Sequence, residues 1–346
     1  MKSAMTPFGI TPSGIAPVAI ALCALVASSG AIAAAPKYTI VDLGTVTYNE
    51  SEGRAINASG QVAGMVHDPA YNGSAFVTVN GAMVDLGAAG GHSAEAQAIN
   101  VAGHVAGTRH DIGAVDTAVY YDGAWTQLFR VHSRALAVND SNTVVGGFDS
   151  TIGPYKAFAW RDGNVNFVTD LGGTSSEAHG INASGWVVGW SQTAAEPYGS
   201  NHAFLSQAGV ATDLGTLGGP SSQAEAINQG GAVTGCADAA DGTQHAFRWV
   251  AGTMQDLGTL PGGAVACGLS INAHGRVVGR AANAQSLWTA VISAGRHLRV
   301  LSTLLPAQDR KRWVLQQATG INDKGQITGT GQLDGLYVHA FLMTPQ

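Results

Sequence analysis

The sequence predicts an all-β fold, a seven-bladed β-propeller with four-stranded blades of about 44 residues each. Three observations predict it: a motif that recurs seven times, a period-two pattern inside each repeat, and a spare strand before the first repeat. Each repeat has an Asn followed seven residues later by a Gly. The pairs are Asn57 and Gly64, Asn100 and Gly107, Asn139 and Gly146, Asn182 and Gly189, Asn228 and Gly235, Asn272 and Gly279, and Asn322 and Gly329. The Asn positions step by 43, 39, 43, 46, 44 and 50 residues, which is the period of a ring or stack of four-stranded units.

The segment after each Asn is predicted to be a tight turn that joins the first two strands of a blade. Asn at the first position and Gly at the fourth suit a type I turn followed by a left-handed residue. The Asn side chain can accept a hydrogen bond from the backbone two residues on, and Gly takes a positive φ without steric cost. Repeat three has Asn142 in place of that Gly, and Asn is the next best residue there.

Four strands are expected in each repeat. Before the turn, small residues alternate with larger ones, as at Gly53 and Ala55, which indicates a strand whose small face approaches another backbone closely. The third strand contains His-Ala-Phe in three repeats, at residues 202–204, 245–247 and 339–341. The fourth contains Asp-Leu-Gly, as at residues 85–87, 170–172, 213–215 and 256–258. Four short antiparallel strands with no helix between them are typical of a propeller blade.

The two ends of the repeated region predict how the ring closes. Repeat seven stops after its third strand, whereas residues 38–44 form a spare strand before repeat one. Joining the two completes the seventh blade and removes the free edges of the sheet. An open solenoid would instead require capping repeats at its ends. We therefore expect residues 34–346 to form a single propeller domain, closed by the N-terminal strand.

Residues 1–33 have the pattern of a secretory signal peptide. Lys2 precedes an apolar stretch from Ile15 to Val26, and Ala31-Ile32-Ala33 is a small-x-small cleavage signature. The apolar run is shorter than the roughly 20 residues of a membrane-spanning helix, and no later segment is long and apolar enough to span. We expect cleavage after Ala33, export to the periplasm, the cell surface or the medium, and no membrane span.

Composition and motifs narrow the function classes. The formal net charge is −6 and only 12% of residues are charged, so there is no electrostatic footprint for nucleic acid. No phosphate loop, nucleophile elbow or zinc spacing is present, and we expect no cofactor and no metal. His202, His245 and His339 are expected to bond to backbone or to a turn, because zinc needs three or four converging ligands. The Asp of Asp-Leu-Gly is expected to form an Asx-type turn.

Two cysteines, Cys236 and Cys267, lie outside the predicted signal peptide. In an oxidising compartment such a pair favours a disulfide over a metal or redox site. Cys236 follows its Asn by eight residues and Cys267 precedes the next Asn by five. In a hairpin centred on the turn, these offsets lie at the same height on adjacent repeats, so we expect a bridge between blades five and six.

A column of polar residues marks the candidate site. The positions five residues before each Asn are Glu52, Glu95, Arg134, Glu177, Gln223, Cys267 and Gln317. Those two residues later are Arg54, Gln97, Leu136, His179, Glu225, Leu269 and Thr319. If this strand is innermost, its start lies at one mouth of the central channel, where carboxylates gather and concentrate negative potential. The predicted binding residues are Glu52, Arg54, Glu95, Arg134, Glu177, His179 and Glu225. The alternative interpretation is a solvated strand end with weak surface ion pairs.

The motifs also resemble a known family. His-Ala-Phe, Asp-Leu-Gly-Thr-Leu-Gly-Gly at residues 213–219, and Ala-Ile-Asn-x-x-Gly-x-Val-x-Gly are similar to those of the HAF-repeat family of extracellular bacterial proteins. The resemblance covers residues 38–346. It implies export and repetition, and it implies no reaction and no ligand.

Two functional hypotheses follow. The leading one is an exported, monomeric, non-catalytic binding or scaffold module for a glycan or protein ligand. The rival is a propeller-fold polysaccharide hydrolase or lyase, because Glu52 and Glu95 on neighbouring blades could lie at the roughly 5 to 9 Å that glycoside hydrolysis requires. A second place for a ligand is the basic loop at residues 302–313, which contains Arg310 and Trp313. The alternative interpretation, without a binding role, is a solvated loop with Trp313 in the core.

Overall fold

A computed structural model of the chain describes residues 1, 38–149, 153–194 and 200–346. The predicted signal peptide lies outside the described residues, apart from Met1. One compact unit covers Pro36–Gln346. It contains seven four-stranded antiparallel sheets, each a blade, which confirms the predicted seven-bladed β-propeller. The first strands of consecutive blades contact one another all the way around, including blade seven with blade one, so they are the inner strands of a closed ring.

The strands follow one another in the chain from the inner to the outer edge of each blade. Blade one comprises β2 (Glu50–Ile56), β3 (Val62–His67), β4 (Gly73–Val79) and β5 (Ala82–Gly87). Blade two comprises β6 (Ser93–Ile99), β7 (Val105–His110), β8 (Thr117–Tyr121) and β9 (Trp125–Gln127). Blade three comprises β10 (Ser133–Val138), β11 (Val144–Asp149), β12 (Tyr155–Arg161) and β13 (Asn164–Phe167).

The remaining blades continue the same order. Blade four comprises β14 (Gly172–Ile181), β15 (Val187–Thr193), β16 (Asn201–Gln207) and β17 (Val210–Asp213). Blade five comprises β18 (Gly218–Ile227), β19 (Val233–Ala239), β20 (Gln244–Val250) and β21 (Thr253–Gly258). Blade six comprises β22 (Ala266–Ile271), β23 (Val277–Ala282), β24 (Trp288–Ala294) and β25 (His297–Val300). Blade seven comprises β26 (Trp313–Ile321), β27 (Ile327–Leu333), β28 (Val338–Pro345) and β1 (Tyr38–Asp42).

The ring closes at the predicted seam. β1 pairs antiparallel with β28, in a register that sets Tyr38 opposite Pro345 and Asp42 opposite Phe341. The imidazole of His339 on β28 also contacts Asp42, with Nδ1 3.0 Å from Oδ1. The two ends of the repeated region are thus joined by backbone and side chain, so β28 is not left with an unpaired outer edge.

Two details of the element prediction need correction. In blade three the fourth strand is Asn164–Phe167, and residues 170–172 follow it instead of forming it; in blade four the fourth strand is Val210–Asp213 and contains only the first residue of 213–215. The chain also has helical segments, which the sequence did not predict: a 3-10 turn at Leu301–Leu304 and the helix α1 at Ala307–Arg312. Trp313, directly after α1, is buried against Phe341.

The histidines of His-Ala-Phe pair with the aspartates of Asp-Leu-Gly. His202 Nδ1 lies 2.8 Å from Asp213, His245 Nδ1 lies 2.9 Å from Asp256, and Asp42 at the seam completes the third pair. In each case the carboxylate also accepts a hydrogen bond from the backbone N–H of the Gly two residues on. The Asx-type turn was predicted. The histidines were expected to bond to backbone or to a turn, and the group that each imidazole contacts is the aspartate carboxylate of that turn. These pairs bind the third strand to the turn that follows the outer strand.

Each inner strand has a β-bulge at the same position. The register shifts between Gly53 and Ala55 in blade one, and at the equivalent residues of the other six blades. The Gly seven residues after the Asn faces this bulge: a Cβ on Gly64 would lie 1.9 Å from the carbonyl oxygen of Glu52 and 2.9 Å from the ring of Phe76. A Cβ at each of the other six glycines would likewise lie 1.8–2.1 Å from the equivalent carbonyl oxygen. Only glycine therefore fits there.

The seven Asn side chains form a closed ring of hydrogen bonds around the channel. Each Nδ2 donates to the backbone carbonyl of the next Asn, from Asn57 to Asn100 at 2.9 Å and finally from Asn322 back to Asn57 at 3.1 Å. The intermediate bonds join Asn100, Asn139, Asn182, Asn228, Asn272 and Asn322 in order. Each Oδ1 meanwhile accepts from the backbone N–H four residues on. In five of the seven turns it also accepts from the N–H two residues on, which is the bond that the sequence predicted. The ring lies where the inner strands end, at the opposite side of the channel from their starts.

Candidate functional site at the channel mouth

The predicted site residues gather where the inner strands begin, which we call the channel mouth. A cavity of about 440 Å³ in the channel is lined by Arg54, Arg134, Glu177, His179 and Glu225. A second cavity of about 420 Å³ is lined by Glu95 and shares Arg134 and Glu177 with the first. Glu52 lines neither, but it contacts Arg54. The β-bulge positions residue 54 and its equivalents towards the channel, because the extra residue re-aims its side chain.

Arg54 joins two glutamates from neighbouring blades. Its Nη2 lies 2.8 Å from Glu52 Oε2 and 3.3 Å from Glu95 Oε2. Burial alone would raise the pKa of Glu95, but hydrogen bonding with His110 and the charge of Arg54 outweigh burial and lower that pKa to about 2. The pKa of Glu52 is also lowered, since contact with His67 and the charge of Arg54 outweigh its burial. Both carboxyls are therefore ionised at neutral pH.

Two histidines that the sequence analysis missed complete this cluster. His67 Nε2 lies 3.5 Å from Glu52 Oε1, and His110 Nε2 lies 3.7 Å from Glu95 Oε1. Glu95 raises the pKa of His110 above its usual range, with a further contribution from Asp116 at 2.9 Å. Burial opposes protonation of His67, yet Glu52 raises its pKa overall. Both histidines follow their Asn by ten residues, and that shared offset is the signal that would have found them.

His179 lies between two glutamates of blades four and five. Its Nε2 lies 3.0 Å from Glu177 Oε2 and its Nδ1 lies 2.9 Å from Glu225 Oε2. Burial disfavours the imidazolium, but the charge of Glu225 and the hydrogen bonds to both carboxylates raise the pKa of His179 to about 10. At Glu177 burial would raise the pKa, but the hydrogen bond and charge of His179, with contributions from Tyr155 and Arg134, together outweigh burial and lower that pKa to about 2. His179 is thus a cation at neutral pH.

Further side chains fix Glu177 and Glu225. The Tyr155 hydroxyl donates to Glu177 Oε1 at 2.7 Å, and Trp190 Nε1 donates to Oε2 at 3.3 Å. Gln223 Nε2 donates to Glu225 Oε1 at 2.6 Å. Burial and the neighbouring carboxylate raise the pKa of Tyr155, so its hydroxyl keeps its proton and remains a donor. Carboxylates held in this way are fixed in position as well as in charge.

The carboxylates at the mouth all have basic partners. Each of the four glutamates contacts Arg54 or His179, and Glu52 and Glu95 also contact His67 and His110. Sequence columns placed the carboxylates correctly, but they could not show that histidines from neighbouring strands also point into the cluster. The mouth is a network of ion pairs instead of a patch of like charge.

Two arginines stand apart from this network. In the described part of the chain, neither Arg134 nor Arg280 forms an ion pair or donates a side-chain hydrogen bond. Both line the channel cavity, and Arg134 also lines the second one. Arg280 lies over the ring of Trp288, with Cζ 4.5 Å from the ring centroid, and its Nε is buried without a partner. Arg134 was predicted from the sequence, whereas Arg280 was not.

Cys236 and Cys267 are joined by a disulfide in the structure, with their Cα atoms 4.6 Å apart. Cys236 lies on β19 of blade five and Cys267 on β22 of blade six, so the bond links two blades beside the mouth. A carboxylate oxygen of Glu225 lies within 4.8 Å of both sulfur atoms. Disulfide sulfurs are not thiolates and offer no ligand to a metal.

No residue of the basic loop, which the structure describes in full, lines either cavity at the mouth. Arg310 and Arg312 belong to α1, and Arg312 pairs with Asp334 at 2.7 Å on the surface. Trp313 is only 5% exposed, so its ring is part of the core and not of a docking surface. Among the described residues, no helix is long and apolar enough to cross a membrane.

Comparisons with known proteins bear on the fold. No protein-family model matches the chain, and no curated protein matches it by sequence. Among solved structures, it is similar to the β-propeller domain of the Trilobed protease from Pyrococcus furiosus, with a TM-score of 0.55, 8% identity, and coverage of 86% of this chain and 93% of that chain. It is also similar to an acylaminoacyl peptidase of Pyrococcus horikoshii, with a TM-score of 0.51, 12% identity, and coverage of 73% of this chain and 45% of that chain. At such low identity the likeness shows the propeller fold alone.

Proposed function

We propose that this chain is an exported, non-catalytic propeller that binds a ligand at the channel mouth. The observation that carries the proposal is that four glutamates are paired with cations at the mouth, and that Glu95, Glu177 and Glu225 line two adjoining cavities there. Cavities of about 440 and 420 Å³ lie in the size range of small-ligand sites. Side chains fixed by mutual ion pairs are preorganised, which lowers the cost of binding.

The same pairing argues against the hydrolase alternative. A glycosidase needs one carboxylic acid that keeps its proton near neutral pH in order to protonate the leaving group. The pKa values of Glu52, Glu95, Glu177 and Glu225 are all lowered. The guanidinium of Arg54 also lies against both Glu52 and Glu95, which fixes these two carboxylates as its partners. The mouth therefore offers binding groups without a proton donor of the required kind.

Export is supported by the leader pattern of residues 1–33 and by the disulfide, since disulfides persist in oxidising compartments. A periplasmic, surface or extracellular location would bring the mouth into contact with envelope or environmental glycans.

The test is a binding screen against neutral, acidic and amino glycans, run beside a hydrolase and lyase panel on the same compounds. Leu136 lines the channel cavity, so Leu136→Trp should plug it and abolish binding of any ligand held there, whatever its charge. Leu336 is 70% exposed on a hairpin, so Leu336→Trp is the matched control and should bind normally. Turnover by the unaltered protein, or undiminished ligand binding by the Leu136→Trp variant, would contradict the proposal.

A further inference from the structure

The two arginines without partners point to the charge of the ligand. Arg134 and Arg280 line the channel cavity and form no ion pair with any described carboxylate. A guanidinium has five N–H donors in a planar fork that matches a carboxylate or a sulfate. Burying such a group without a partner is costly, and the Nε atoms of Arg54 and Arg280 are already buried without one. The channel therefore contains donors that an anion would satisfy.

The charges that line the channel favour an anion as well. Three guanidiniums, from Arg54, Arg134 and Arg280, and the imidazolium of His179 face the carboxylates of Glu177 and Glu225. Glu52 and Glu95, which contact Arg54 from outside the cavity, bring the count to four positive and four negative charges. The positive charges without a carboxylate partner are those of Arg134 and Arg280. The two lining carboxylates are themselves occupied by His179. An incoming anion would meet Arg134 and Arg280 without displacing an existing pair.

The three guanidiniums approach the channel from different sides. Arg54 comes from blade one, Arg134 from blade three and Arg280 from blade six, and no two of these blades are adjacent in the ring. Trp288 lies against the Arg280 guanidinium and limits its orientation. A small anionic group on the channel axis would be reached from around the ring, which gives selectivity for charge placed at one end of a ligand.

Neutral groups in the same cavity fit the rest of a sugar. The amides of Gln97 and Gln317 can both donate to and accept from hydroxyls. Leu136 and Leu269 present apolar surface, on which the C–H face of a sugar ring can pack. Few purely inorganic anions would use these amides and leucines.

We propose that the channel mouth binds a saccharide with an anionic substituent, a carboxylate or a sulfate, which Arg134 and Arg280 hold while the glutamines contact its hydroxyls. This inference rests on the proposed binding function and names the ligand class for the same site. It differs from that function in requiring charge: a channel that bound a neutral or amino sugar would fulfil the first proposal and contradict this one.

The probes are a galacturonic acid trimer, its methyl-esterified form, a sulfated galactose oligomer and a chitosan trimer, measured by calorimetry with the full-length protein. We expect the acid trimer or the sulfated oligomer to bind, and the ester, which has nearly the same shape without charge, to bind at least about tenfold more weakly. Whichever of the two anionic probes binds more tightly identifies the source of the charge. Binding should also weaken as the NaCl concentration rises.

Arg134→Gln and Arg280→Gln should each weaken binding of the acidic probe about ten- to a hundredfold, by loss of a charge-assisted contact. Arg134 is the more informative position because its side chain forms no hydrogen bond, ion pair or aromatic contact with a described residue, whereas Arg280 lies over Trp288. Arg296, exposed at the β24–β25 turn, provides the matched control Arg296→Gln, which should bind normally. Equal binding of the acid and its ester, preference for the chitosan trimer, or unchanged binding by both channel variants would overturn the inference. Loss of binding in Arg310→Gln alone would place the site at the basic loop and overturn it too.

Discussion

At the scale of single residues, the mouth is held together by charges whose protonation depends on their partners. His179 has the strongest coupling, because one imidazole contacts carboxylates from two blades. Removing its proton would leave Glu177 and Glu225 facing each other in a partly buried place, where like charges repel more strongly than in water. The stability of the ring at this point should therefore depend on pH.

The direction of that dependence follows from two pKa values. The pKa of His179 is raised from 6.5 to about 10, so its contribution to stability is complete below pH 6.5 and is lost as the pH rises towards 10. The pKa of Glu177 is lowered from 4.5 to about 2, so its contribution is complete above pH 4.5 and is lost as the pH falls towards 2. His179→Gln should reduce the free energy of unfolding by about 1 kcal/mol or more at pH 6, and by less at pH 9.5.

Urea denaturation from pH 5.5 to 10 measures this difference. His297 is exposed on β25, so His297→Gln serves as a control and should leave the pH profile unchanged. If the gap between His179→Gln and the unaltered protein stays constant across that range, His179 does not carry its proton in the folded state.

The Asn and Gly of each repeat show what residue patterns can and cannot predict. Their spacing predicted the turn, the strand and the ring, because these depend on local backbone preferences and on a count of repeats. The reason for the Gly could not be seen in one repeat, since a Cβ on Gly189 would meet the carbonyl oxygen of Glu177 only because the inner strand bulges. The donor role of each Asn depends on the next blade, which a single repeat does not contain.

The same limit applies to the site. Trp190 and Arg280 follow their Asn by eight residues, as Cys236 does, and all three lie on the strand paired with the inner one. The shared offset would therefore have placed Trp190 and Arg280 beside the mouth as well. Tyr155 comes from a third strand and its side chain crosses to the next blade, so no column of the repeat predicts it. Contacts between blades were the part that sequence reasoning missed.

At the scale of elements, the seam is where the ring depends on a single strand. β1 contributes only five residues, and they pair with β28 alone. Without them β28 would present an unpaired edge, which is a site for aggregation. The side chain that anchors β1 is Tyr38, which is 1% exposed, whereas Val41 on the same strand is 55% exposed.

Tyr38→Ala should therefore destabilise the protein by about 3 to 5 kcal/mol, the usual cost of truncating a buried aromatic side chain. Val41→Ala changes an exposed residue of the same strand and should cost less than about 0.5 kcal/mol. The urea midpoints of the two variants give the comparison. Similar midpoints would mean that β1 adds little to blade seven, and that the ring is stable without its seam.

At the scale of the whole molecule, the ring is closed twice, by the seam at the outer edge of blade seven and by the asparagines around the channel. The seam joins one strand pair, whereas the asparagine ring includes every blade. Each of these side chains uses both ends of its amide, and all seven are buried. The ring therefore fixes the angle between neighbouring blades at the side of the channel away from the mouth, and it does so seven times with one kind of bond.

Asn139→Asp tests this arrangement because it preserves the turn and removes only the link. The carboxylate can still accept from the backbone N–H groups of Ser141 and Thr143, but it cannot donate to the Asn182 carbonyl. An unsatisfied buried carbonyl, now facing a carboxylate, should cost about 1 to 3 kcal/mol of unfolding free energy. Asn164, exposed in the β12–β13 hairpin, provides the control Asn164→Asp, which should cost less than about 0.5 kcal/mol.

A second substitution across the ring shows whether the seven bonds act together. Asn139 is in blade three and Asn272 in blade six, and they share no partner, so independent sites would give additive costs within about 0.5 kcal/mol. In a closed ring the bonds polarise one another and hold a common geometry, so the first break should already relax the rest. We expect Asn139→Asp combined with Asn272→Asp to cost less than the two single changes added together, by more than that margin. Simple additivity in urea denaturation would mean that the blades are joined in pairs, with no property that belongs to the ring as a whole.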